Sequence, residues 1–174
     1  MILEHNGIAP RIDPSVFLAP SACVIGDVQI GEKSSLWFNV LVRGDVNSIR
    51  IGKRTNIQDG TVIHVTHKTH PTVIGSDVSV GHSVTLHGCT IHDRCLIGIG
   101  AIVLDGVEVG ESSMIAAGSL LTPGTKIPPR SLVMGSPGRV RKQLTDAECA
   151  DFQAVAKRYL HYQEDYRTNV KRMD

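Results

Sequence analysis

Aromatic residues make up only 4% of this 174-residue chain, with a single tryptophan. No apolar run approaches the roughly 18 residues that span a bilayer as a helix. Neither sign of charge dominates: eighteen Lys+Arg against seventeen Asp+Glu leave a formal charge of +1. A nucleic-acid or acidic-membrane partner is therefore not expected, because binding a polyanion needs a basic patch or stripe. The four cysteines (Cys23, Cys89, Cys95, Cys149) show no CxxC spacing, so they read as reduced, packed thiols rather than a disulfide or zinc-ribbon framework. The opening "MILEHNGIAPRIDPS" lacks the basic-then-apolar layout of a signal peptide, which points to the cytoplasm.

Against these scarcities stands a repeat. Ile, Leu or Val recurs every six positions at Ile12, Leu18, Val24, Ile30, Leu36 and Val42. After three extra residues the series resumes at Ile51, Ile57 and Ile63, and after five more at Ile74, Val80 and Leu86. One residue is then skipped, and it continues at Ile91, Ile97, Val103, Val109, Ile115, Leu121, Ile127 and Val133. Period six fits neither a helix nor an alternating strand, but it suits a parallel β-helix whose short strands stack coil on coil. Glycine often follows the key position (Gly31, Gly52, Gly75, Gly81, Gly98, Gly110), where a tight corner leaves little room for a side chain. The pattern resembles the left-handed β-helix of the hexapeptide-repeat superfamily, an all-β triangular prism with three hexads per coil, here six to seven coils. That superfamily usually covers the flat faces of the prism by trimerising.

The ladder stops near "VMGSPGRVRKQL", where Pro137 and Gly138 mark a loop. Beyond it Phe152, Val155, Ala156, Tyr159, Leu160 and Gln163 follow helical spacing. Thr145 with Glu148 three residues on forms a capping box. We expect a β-helix over residues 1–140 and, within 141–174, one helix from about 146 to about 168, folded onto a prism face or a neighbouring subunit.

Three hexads per coil also serve as a ruler. Residues at equivalent positions three hexads apart lie about 4.8 Å apart along the axis, provided insertions bulge outward. His64 follows Ile63 and His87 follows Leu86, so they stack on one face, with Arg43 below them after Val42. Asp59 and His82, each two residues past a ladder position, share a second column on a different face. Within one chain His64 and His87 can share a ligand, whereas His82 points elsewhere. If a threefold trimer apposes the two columns, the pair meets the next subunit's His82, and Arg43 approaches Asp59 across the same boundary. Three neutral imidazoles with an open fourth position are the makings of a catalytic zinc site.

With those residues assembled, the chain resembles the gamma class of carbonic anhydrases and their short bacterial homologues. The matching stretches are "VRGDVNSIRIG" (42–52), "TNIQDGTVIHVTH" (55–67), "VGHSVTLHGCTI" (80–91) and "IGIGAIVLDG" (97–106), with the closing "GSPGRVRK" and the tyrosine-bearing helix. The resemblance implies a homotrimer with zinc, or iron or cobalt, held by His64, His82 and His87 at subunit interfaces. It implies a charge network of Arg43, Asp45 and Asp59 between subunits, Gln58 orienting the reacting water, and Tyr159 near the pocket, with Tyr162 and Tyr166 as neighbouring alternatives. The implied reaction is reversible hydration of CO2 to bicarbonate.

One departure bears on turnover. Well-studied gamma enzymes carry glutamates for proton handling at the positions of Val46 and His67, and the acidic loop is here the short "HKTHPT". Histidine titrates near neutrality, so His67 and His70 are candidate proton shuttles. Alternative readings are a CoA-dependent acyltransferase on the same prism, a metal-dependent thioesterase, and a metal-stabilised scaffold without catalysis.

Overall fold

Residues 1–171 and 173 are described by a computed structural model. The chain winds as a left-handed parallel β-helix of about seven turns, followed by a single C-terminal helix. One face carries an eight-stranded sheet in which seven strands stack in parallel, and the eighth, Gly138–Gln143, closes it antiparallel to Ser131–Gly135. The other two faces belong to one twelve-stranded sheet, because the long strand Leu41–Ile51 bends across a prism edge and pairs at both ends.

The ruler holds in the register. Leu36, Ile57, Val80, Ile97, Ile115 and Val133 are successive Cα partners, as are Val42, Ile63, Leu86, Val103 and Leu121. From Val24 to Val133 every ladder residue is at most 6% exposed. Ile12 and Leu18 are half-buried at the first level, where no coil lies beneath them. The corners are tight enough to dictate glycine: a Cβ on Gly52 would lie 2.6 Å from the carbonyl carbon of Gly75. Both insertions bulge outward as expected. The first slips the register between Gly26 and Val28 of the preceding strand, and the second makes a turn closed by a Thr66–His70 bridge.

The C-terminal helix spans Asp146–Asn169 and begins with the expected box, the Thr145 side chain accepting from the Glu148 N–H and the Glu148 side chain accepting from the Thr145 N–H. It lies on its own chain, across the eight-stranded face. Cys149 and Phe152 pack with Leu96, Met114 and Leu132, and farther along the helix Tyr159 and Tyr166 pack with Trp37. Among the described residues no helix is long and apolar enough to cross a membrane.

Candidate metal centre

His64 ends the strand Val62–His64 and His87 ends Thr85–His87; the two are direct Cα partners. Their rings lie 5.1 Å apart between centroids, with His64 Nδ1 and His87 Nε2 facing each other at 3.1 Å. Each ring turns its other nitrogen to a carboxylate: His64 Nε2 lies 3.0 Å from Asp45 Oδ1, and His87 Nδ1 2.6 Å from Asp105 Oδ1. Burial pushes both carboxyls up, but the hydrogen bonds outweigh it. His64 and Arg43 hold Asp45 at about 2, and His87 with Thr66 lowers Asp105.

Ionised carboxylates only accept, so His64 Nε2 and His87 Nδ1 carry the ring protons. With both rings neutral the facing nitrogens are then two lone pairs 3.1 Å apart, an arrangement that a proton or a metal ion held by both would relieve. The residues present fit a metal ion on this ground. A carboxylate behind each ligating imidazole is also the usual way a metal site fixes tautomer and ring orientation.

His82 follows Ser79–Val80 in the eight-stranded sheet, whereas His64 and His87 belong to the twelve-stranded one. It follows the same rule: His82 Nδ1 faces Asp59 Oδ2 at 2.8 Å, and Asp59 Oδ1 accepts from the Phe38 N–H. Among the described residues its Nε2 has no hydrogen-bond partner. Among the described residues no three His, Cys, Asp or Glu side chains of one chain gather around a common point.

The other expected residues fall as follows. Gln58 is buried and donates from Nε2 to Asn56 Oδ1 at 3.0 Å, while Asn56 Nδ2 donates to Ser79 Oγ at 2.8 Å. Tyr159 meets Trp37 edge-on at 5.3 Å. With Tyr162, Tyr166, Asp59 and His82 these two rings line a cavity of about 340 Å³. Burial, with a smaller push from Asp59, raises the Tyr159 phenol to about 12. Within the chain Arg43 pairs with Asp45 rather than Asp59. His67 is exposed at the tip of its turn, and His70 instead sits against Gly88 and Gly106, beside Asp105. Val46 is exposed in the first bulge.

Sequence reasoning missed Asp105 and Asn56. The ruler contains the first: Asp105 stands two places past Val103, one coil above Gly88. Gly88 has no side chain to block it, and a Cβ there would meet Asp105 Oδ1 at 2.3 Å. Asn56 precedes a ladder residue and so points outward beside Gln58 on the same strand face.

A family model described as "Bacterial transferase hexapeptide (six repeats)" matches residues 88–123. The chain is 41% identical over 167 residues to a protein of Geobacillus kaustophilus named "Carbonic anhydrase", covering 96% of this chain and 91% of the relative. It belongs to the gamma carbonic anhydrase family. A gamma carbonic anhydrase of Arabidopsis thaliana mitochondria is 48% identical over 158 residues, 88% of this chain; the chain spans 57% of that relative's length. A solved structure titled a hexapeptide transferase family protein, from Anaplasma phagocytophilum, superposes with a TM-score of 0.91 at 39% identity, covering 95% and 98% of the two chains. The four stretches that carry the resemblance to gamma carbonic anhydrases all lie on the coils between Leu41 and Gly106, where the three carboxylate-held histidines are placed.

Proposed function

We propose that this chain is a zinc-dependent gamma carbonic anhydrase, catalysing reversible CO2 hydration at the interfaces of a homotrimer in the cytoplasm. The observation that carries the reading is the pair of facing lone pairs on His64 and His87, each ring locked by a carboxylate. Iron or cobalt would suit the same nitrogen donors. The neighbouring subunit's His82, with its free Nε2, completes the set. When bound, the metal supplies the Lewis acidity that makes water a nucleophile near neutral pH.

The chain's own residues supply the rest. Gln58 donates one Nε2 proton to Asn56, an anchor that orients the amide; its Oε1 is the acceptor for the reacting water and holds one of that water's protons away from CO2. Tyr159 is held protonated at neutral pH and closes the apolar side of the cavity with Trp37. Arg43 and Asp45 brace His64 from one side of the boundary, and Asp59 braces His82 from the other. The released proton leaves along the outward loop, past Asp105 and His70 to the exposed His67.

The test has two arms. Purified protein should hold about one zinc per chain, with His82→Ala losing as much metal as His64→Ala, and metal-replete protein should hydrate CO2 in stopped flow well above the buffer rate. No metal sinks the site, and no rate above buffer sinks the anhydrase reading. The transferase names of the matching family model and of the Anaplasma structure favour one second reading, acyl transfer or metal-dependent hydrolysis on a CoA thioester. Turnover of acyl-CoA by the same preparation would select it.

A further inference from the structure

Aromatic residues are scarce in this chain, yet all three of its tyrosines and its only tryptophan line one cavity. That cavity, of about 340 Å³, is walled by Trp37, Tyr159, Tyr162 and Tyr166 together with Asp59 and His82. The tyrosines share one face of the C-terminal helix, at spacings of three and four residues, and Trp37 directly follows the strand Ser35–Leu36 in the sheet. Trp37 meets Tyr159 at 83° and Tyr166 at 80°, and Tyr159 meets Tyr162 at 77°, with centroids 5.3, 4.9 and 5.4 Å apart. Rings set at right angles enclose space as the walls of a box do, where stacked rings would close it. Trp37 is buried and Tyr162 is exposed, so the box runs from the sheet to solvent.

Its size falls within the range of about 300–1,000 Å³ usual for small-molecule sites. Asp59 is the one acidic side chain in it, and no lysine or arginine is among the described residues that line it. Within the chain Arg43 is engaged with Asp45. Electron-rich ring faces attract cations, and aromatic boxes are how proteins recognise quaternary ammonium groups. A primary ammonium fits less well, because it is strongly hydrated and brings three N–H donors. Here the two Asp59 oxygens already face His82 Nδ1 and the Phe38 N–H, at 2.8 and 3.1 Å. A quaternary ammonium has no N–H to satisfy and lays methyl groups against the rings.

We propose that this cavity is a binding site for an organic cation bearing a quaternary ammonium group, with the rings of Trp37, Tyr159, Tyr162 and Tyr166 around its methyl groups and Asp59 as the counter-charge. The helix supplies three of the four rings, so the site exists only where the helix docks on its own prism face. The inference stands on the cavity and its chemistry, and not on the reaction proposed above.

The probes are choline and dimethylbutanol, its uncharged isostere in which a carbon replaces the nitrogen. They are titrated into the full-length protein as purified, by calorimetry and by proton NMR. Choline should bind about tenfold more tightly than dimethylbutanol, and ring currents should move its N-methyl resonance upfield. A merely apolar cavity would favour the uncharged probe. Tyr162→Leu removes an exposed ring and should weaken choline binding about two- to fivefold. Tyr159→Leu should weaken it at least as much, whereas Tyr159→Phe, which keeps the ring, should bind as the unmodified protein does. Equal affinity for the two probes, or no upfield shift, would overturn the inference, as would a Tyr162→Leu protein that binds choline unchanged. Tyr162 lies at the surface, so this arm holds even if Tyr159→Leu does not fold. Neither readout needs turnover: a protein that discriminates the probes but does not hydrate CO2 would refute the proposed function and leave the cation site standing.

Discussion

Asp105 decides which nitrogen of His87 is free. By accepting at Nδ1 it leaves Nε2 bare toward His64, and an amide in its place can offer an N–H instead and favour the wrong tautomer. Asp105→Asn should therefore weaken zinc binding about 10- to 100-fold in chelator competition, with the fold intact. Gly88→Ala should mimic it, because the added methyl strikes Asp105 Oδ1. Among the thiols, burial drives Cys89 and Cys95 up to about 12. Below the ordinary thiol pKa of about 8.5 both folded and unfolded chains keep these protons, so no pH dependence arises there. From that value toward 12 only the unfolded chain ionises and is favoured, so stability falls. Urea midpoints should drop between pH 8.5 and 10.5, and less so in a Cys89→Ala, Cys95→Ala protein. At pH 8 both thiols should resist a thiol reagent until urea is added.

At the scale of elements, the C-terminal helix is held at two places of different chemistry. Near its start Phe152 is 8% exposed over Leu96, Met114 and Leu132, and Phe152→Ala should cost about 3–5 kcal/mol in urea unfolding. Its capping box should matter less: Thr145→Ala should cost about 1 kcal/mol. Toward its end the helix sets Tyr159 and Tyr166 on Trp37, so loosening the helix should reach the cavity beside His82. Phe152→Ala should accordingly change Trp37 emission before global unfolding, in a denaturant titration followed by fluorescence and by circular dichroism. The helix was legible from its 3.6-residue spacing and its cap, and its bounds differ from expectation by about one residue. Which tyrosine meets Trp37 was not legible, because a helix can rotate or slide on a face without altering its own pattern.

At the scale of the whole molecule, the two histidine columns lie on different faces, so a site of three imidazoles needs two chains. Mixing supplies the test. His82→Ala protein and His64→Ala protein should each bind little zinc. Refolded together as mixed trimers they should regain one site per trimer, since each ring of mixed subunits has one boundary with both halves intact. Zinc content that stays at the level of either variant would mean that no such boundary forms. A monomer by sedimentation would refute the interface site outright.

The coil-by-coil placement of His64, His87, Asp59 and His82 was determined by sequence alone, because a ladder of buried aliphatics at period six leaves one register in which every coil packs. A slip of one residue would turn the whole ladder outward. The same count places Asp105 above Gly88, although the number by itself carries no sign that a hydrogen bond forms there. Only the tertiary structure decided what faces what: the ring nitrogens of His64 and His87 aimed at each other, Gln58 tied by Asn56, and Tyr159 and Tyr166 set edge-on against Trp37. Those contacts depend on rotamers and on how the helix docks, which are set by packing between segments far apart in the chain rather than by any repeat within it.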